Sequence, residues 1–254
     1  MPLRARLLKV VAVFFLLVGC SVGSSSAAMA QGPVQANPVV LVVTLGALAL
    51  APFALIMMTS FVKISVVLSI LRNALGTQQI PPNQVITGIS LILTIFIMAP
   101  VAEKMLEEAG LSDATAPVFT EMRAETLFKA LDKGKEPLRA FLERNAHEAD
   151  RRLFLGLAQR LAQKNGKDPN AITARDFRVV VPAFVTSQLT EAFQIGFLLF
   201  IPFLVIDMLV SNILQAMGMF MLSPTIISLP FKLLLFVLVK GWVTLIQNLV
   251  VSYA

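Results

Sequence analysis

The chain has 254 residues, of which 57% are apolar and only 14% charged, and its mean hydropathy is +0.80. This composition excludes an ordinary soluble protein and puts the chain in or against a membrane. The formal charge of +6 does not point to nucleic acid: the cations are scattered, and one Tyr and one Trp make no platform for stacked bases.

Residues 1–30 have the layout of a secretory signal. Arg4, Arg6 and Lys9 precede an apolar stretch at 10–18, and Ala28-Met29-Ala30 supplies an A-x-A end. Two other readings stand beside this one. Residues 17–20 resemble a lipoprotein box that would leave Cys20, the single cysteine, lipidated. An uncleaved anchor is the other, although the apolar core is shorter than the ~20 residues a span needs. One cysteine supports neither a disulfide framework nor a cysteine metal cluster.

Residues 31–101 form the next region, of apolar helices. Its first run, 39–60, is interrupted by Pro52 and is long enough to span a bilayer. A second segment, 61–75, is amphipathic and carries Lys63 and Arg72. It stops at Gly76, and GTQQIPPN follows as a rigid turn because proline fixes its backbone angle and glycine lets a helix end. A third apolar run occupies 84–101. The composition then changes: of all the acids, only Glu191 and Asp207 lie outside 103–178. Within 102–181, Leu127, Leu131, Leu138, Phe141, Leu142, Leu153, Phe154, Leu157 and Leu161 recur at helical steps, with Gly134 and residues 166–169 as breaks, which predicts a small water-facing helical domain.

From 182 to 254 two apolar runs, 184–221 and 226–251, flank QAMGMFMLSP and predict a helical hairpin with a methionine-rich loop. Pro202 lies inside the first run and is expected to kink it. The expected fold class is therefore all-α, with membrane-associated helical hairpins, kinked apolar helices and a small helical extracytoplasmic domain. A signal removed outside, followed by one span in and one back, puts the charged domain on the outer side of the membrane.

Nothing in the sequence recommends an enzyme. His147 is the only histidine, and no second one follows at the zinc-protease spacing, so a solvated surface residue is the plain reading. Residues 19–23 match G-x-S-x-G, but inside the signal segment and without the strand-turn-helix context. No phosphate loop, cofactor or metal site is expected. The informative residues are ions among apolar neighbours: Lys63, Arg72, Glu191, Asp207, Lys232 and Lys240. A lone charge at the centre of a hydrocarbon-spanning helix costs at least ~2.5 kcal/mol, so such groups pair or line a wet cavity. Asp207 and Lys232 stand on opposite sides of the methionine loop, and folding the two runs together predicts their pairing, within one subunit or across two. The bland alternative is that Lys232 snorkels to an interface. Glu191, with Gln188 and Gln194 close by, is expected to face a wet interior or a partner.

Met217, Met219, Phe220 and Met221 gather soft apolar side chains at one bend. Methionine is unbranched and polarizable, which suits a closure that yields to chains of varied shape, and an apolar constriction also blocks ions by dewetting. The same residues read otherwise as filler between helices, or as thioether ligands for Cu(I), although no His or Cys lies near in sequence.

Four stretches, TSFVKISVVLSILRNALGTQQIPPN, PAFVTSQLTEAFQIGFLLFIPFLVIDMLVSNIL, MGMFMLSP and SLPFKLLLFVL, resemble the FliP/SctR family of type III secretion export-gate proteins. The resemblance covers nearly everything after residue 40 and is weakest in the charged domain. It implies an inner-membrane component of the export apparatus shared by flagella and injectisomes. It also implies a homopentamer assembled with SctS/FliQ-like and SctT/FliR-like subunits round the path of unfolded substrates. The injectisome branch is favoured by TSFVKISVVLS and LGTQQIPPN; the flagellar branch is the alternative, since a cleavable signal is more typical there. Two positions depart from the family pattern. Phe220 stands where MGMMM is common, and Lys240 stands where an acid commonly precedes Gly-Trp.

Overall fold

A computed structural model of the chain describes residues 56–77, 80–108 and 124–253, with the single positions 46, 49 and 53. The signal-like segment with Cys20, and most of the apolar run at 39–60, lie outside the described residues. Among the described residues every regular element is a helix. Seven are α-helices: α1 (Phe61–Leu75), α2 (Asn83–Glu108), α3 (Ala124–Arg144), α4 (Glu148–Lys164), α5 (Phe177–Ala216), α6 (Pro224–Leu238) and α7 (Gly241–Val251), with one 3-10 turn at Pro169–Ala171.

The chain divides into two compact units, residues 1–59 with 98–141 and residues 60–97 with 142–254. In the first, the Thr59 hydroxyl donates to the Ile56 carbonyl over 2.8 Å, and Arg139 pairs with Glu136 one turn before it on α3. α3 runs through Gly134 and Pro137, so the break expected at Gly134 is absent.

The second unit is organised on α1. Its sequence is rich in β-branched residues, which gain little from intrinsic helix propensity. The helix is held by burial instead: Ile64, Val67, Leu68, Leu71, Ala74 and Leu75 recur at three- and four-residue steps and are all sequestered. Gly76 ends it with φ 75°, in the left-handed region that glycine enters without strain, and returns its N–H to the Asn73 carbonyl over 3.1 Å.

α5 is the partner of α1. It has 40 residues, hence a length of about 60 Å, twice the hydrocarbon thickness of a bilayer. Its two halves differ. In the first, Val179, Val180, Ala183, Phe184, Ser187, Gln188, Ala192 and Gly196 are buried at helical spacing, packed by α1 and α4. In the second, Phe197, Leu198, Ile201, Leu204, Val205, Met208, Leu209 and Ile213 are exposed, and only Phe203 and Leu214 are buried. The helix is continuous through Pro182 and Pro202, so the domain boundary read at 182 falls inside it.

The run at 226–251 is two helices rather than one. α6 and α7 meet at a 59° bend, where Lys240 has φ 50° and Gly241 lies so close to Phe236 that an added Cβ would sit 2.2 Å from the ring. Trp242 stacks edge-on against that ring at 5.4 Å, and the ring of Phe203 on α5 lies 6.4 Å from it, tilted by 50°. α2 and α5 are each long and apolar enough to cross a membrane, as is the bent α6–α7 pair taken together.

α5 approaches α1 tightly at Gly196. A Cβ there would meet Ile70 Cδ1 at 2.4 Å and Cγ2 at 2.9 Å. Gly196→Val is therefore expected to cost about 1–3 kcal/mol through overpacking. Thermal unfolding of the detergent-solubilised chain should show a lowered midpoint, partly recovered by adding Ile70→Ala; an unchanged midpoint would overturn the close approach.

Candidate functional site

Two clusters of polar side chains bracket α1. At its C-terminal end the Lys232 ammonium of α6 lies 2.6 Å from Asp207 Oδ2 on α5 and donates over 3.3 Å to the Ala74 carbonyl. Ser228, one turn before Lys232, donates its hydroxyl to the other Asp207 oxygen. Burial explains the arrangement. The Lys232 side chain is 3% exposed, and a cation that dry needs an anion and further acceptors. The helix end supplies one of them, because the last carbonyls of α1 lack intrahelical partners and carry the negative end of its dipole.

The N-terminal end holds Lys63, 1% exposed, which pairs with Glu191 of α5 and donates to the Ser252 hydroxyl over 3.1 Å. Its ammonium also lies 4.6 Å from the centre of the Tyr253 ring. Tyr253 in turn donates to the Gln188 side-chain oxygen, and Gln188 donates to the Asn145 carbonyl over 2.8 Å. Burial, and then the charge of Glu191, push the Tyr253 phenol well above its ordinary pKa, so it remains a protonated donor. His147 Nε2 reaches the second Glu191 oxygen at 2.8 Å. Ser187 accepts from the His147 backbone N–H over 2.9 Å and donates to Asp150 over 2.5 Å, which anchors the start of α4 on α5.

Of the ions singled out from sequence, Asp207 meets Lys232, and Lys63 meets Glu191. Glu191, expected to face a wet interior or a partner, is engaged within the chain, and His147 is tied to it. Arg72 binds the Asn83 side chain across the turn between α1 and α2. Lys240 lies on the surface of the α6–α7 bend. Ser228, Gln188, Ser187, Asp150 and Tyr253 were not singled out for these contacts. The available signal was polar residues at four-residue steps in apolar helices, as in Ser187 with Glu191 and Ser228 with Lys232.

The methionine loop is built separately. α5 stops in a Schellman motif: Gly218, at φ 73°, donates to Gln215 over 3.0 Å, and Met219 donates to Leu214 over 2.9 Å. Pro224 then opens α6 at a position where its missing N–H costs nothing. Between them Met217, Met219, Phe220, Met221 and Leu222 are all exposed, Met221 completely. Among the described residues no group of three or more His, Cys, Asp or Glu side chains could hold a metal ion.

Similarity to known proteins decides the family. The sequence profile of the FliP family matches residues 44–249. The chain belongs to the FliP family. It is 48% identical over 211 residues to the flagellar biosynthetic protein FliP of Pectobacterium carotovorum, covering 83% of this chain and 77% of that one. It is 43% identical over 225 residues to the Yop proteins translocation protein R of Yersinia pestis, covering 89% and 99%. The flagellar biosynthetic protein FliP of Bacillus subtilis is 42% identical over 217 residues, covering 85% and 92%. FliP-family relatives from both the flagellar and the translocation branches thus match along most of the chain.

Removing Asp207 would strand a buried ammonium. Asp207→Lys is expected to destabilise the protein by about 3 kcal/mol or more, since breaking a buried pair leaves an uncompensated charge. The exchange Asp207→Lys with Lys232→Asp should recover part of that loss in the thermal unfolding midpoint. At the other end, Tyr253→Phe removes one hydrogen bond to Gln188 and should cost about 1 kcal/mol by the same measurement.

Proposed function

We propose that the chain is a pore subunit of a type III secretion export gate, with the methionine loop as its deformable seal. The observation that carries this reading is the loop itself: five successive apolar positions apart from Gly218 stand exposed at a turn that a Schellman motif and a proline hold in place. Exposed apolar side chains of that extent mark a surface that meets something. Thioethers on unbranched stems repack at low cost around a passing chain, and several copies would bring them to one level.

The FliP-family relatives named for flagellar biosynthesis and for Yop translocation support the export role. In this reading the subunit acts as a homopentamer with SctS/FliQ-like and SctT/FliR-like subunits in the bacterial inner membrane, its charged domain on the periplasmic side, and unfolded proteins pass through. The length of α5 supports packing on neighbours, since one half is buried in the chain and the other exposes a continuous apolar face. Phe220, 78% exposed beside Met221, belongs to the same seal.

Replacing Met217, Met219 and Met221 together with Ala should raise the ion conductance of membranes containing the assembled gate while leaving assembly intact. An unchanged conductance would remove the seal from this account.

A further inference from the structure

An open groove of about 520 Å³ runs between α5 and the α6–α7 bend. Leu198, Leu199 and Phe203 form one wall, Phe236 the floor of the bend, and Leu245 and Leu249 the other wall. Its lining is almost wholly apolar. At its edge the chain reads Val239-Lys240-Gly241, and both neighbours of Lys240 line the groove. Lys240 itself is exposed, and among the described residues its ammonium makes no hydrogen bond or ion pair. The other two lysines of the apolar segments, Lys63 and Lys232, are buried on carboxylates.

A free cation at the rim of an apolar groove fits an amphiphile with one negative head and an apolar tail. The surroundings give the depth at which such a ligand would sit. α6 has 15 residues and α7 has 11, about 22 Å and 16 Å, so neither crosses about 30 Å of hydrocarbon alone, and their 59° bend suits a re-entrant pair whose junction meets the headgroup boundary rather than a straight span with that junction at mid-depth. Their junction carries a charge that hydrocarbon does not tolerate, with Val237, Leu238, Val239 and Val243 exposed round it and Trp242 beside it. Cation, indole and apolar surface together are the composition of a headgroup boundary. We propose that this groove binds an anionic phospholipid, an acyl chain lying between α5 and α7 and the headgroup phosphate on Lys240.

The test uses the full chain, purified in mild detergent, delipidated and titrated with phosphatidylglycerol or phosphatidylcholine in matched mixed micelles, with bound lipid counted by native mass spectrometry. Wild type should retain phosphatidylglycerol in preference to phosphatidylcholine. Lys240→Gln should reduce that preference about fivefold without weakening phosphatidylcholine, the effect of one cation near an anionic headgroup. Leu198→Trp, at an exposed groove position, should weaken both lipids alike, while Lys164→Gln on α4 should change nothing. Free glycerol phosphate should not compete, because it lacks the tail. Should Leu198→Trp lower the unfolding midpoint, Thr244→Trp on the opposite wall replaces it. The proposal is overturned if Lys240→Gln leaves the preference intact, if a well-folded groove-filling variant binds lipid as wild type does, or if gate assembled with its partner subunits excludes phosphatidylglycerol, which would make the groove a protein interface.

Discussion

Lys232 reaches from α6 to the carbonyl end of α1 and to Asp207 on α5, and the packing of the second unit follows from that three-way contact. A buried ammonium resists sliding along its neighbours, because moving it away from Asp207 strands an uncompensated charge. The register of α6 on α5 is thereby set, and with it the place where the methionine loop closes the hairpin. Gly76 borders the same arrangement: a Cβ there would lie 3.6 Å from the Lys232 ammonium, an ordinary contact, so it is the left-handed backbone at φ 75° rather than space that calls for glycine.

The opposite end of α1 is held by the same physics with different parts. Lys63 near a helix N-terminus opposes the dipole, so its pairing with Glu191 and its place over the Tyr253 ring both offset an unfavourable location. That cluster also gathers Ser252 and Tyr253, which follow α7, and the turn before α4. Segments 128 and 189 residues apart in sequence thus converge on one amine. Apolar packing alone would allow many registers; directional polar contacts select one.

Between these anchors the unit divides its apolar surface unequally. The first half of α5 is satisfied inside the chain, whereas the second half, α6 and the methionine loop leave large side chains uncovered. The same helices carry the Asp207–Lys232 pair, so one ion pair fixes them to each other while their remaining apolar faces stay uncovered. For a FliP-family protein this sets the contacts that fix the loop apart from the apolar faces left exposed.

Much of this was legible in the residues. Helical periodicity in α1, α4 and α5, the stop at Gly76, the break at 166–169 and the hairpin about Gly218 all follow from local rules of spacing, backbone freedom and capping. The motifs carried the family. What local rules could not supply was the choice of partners. Lys63 and Glu191 each announced a charge needing compensation, whereas His147 read as a solvated surface residue, and which group met which depended on helices brought together from distant parts of the chain. The continuity of α5 through Pro182 and Pro202, and the break at Lys240 within an apolar run, were likewise decided in three dimensions. There the packing of Phe236 against Gly241 and Trp242 outweighed a hydrophobic pattern that reads as one helix. The sequence by itself determined that the chain is helical, membrane-directed and tipped with methionine, because composition and period act locally. Only the tertiary structure decided which buried ions hold it together, because a charge is compensated by whatever lies near it in space.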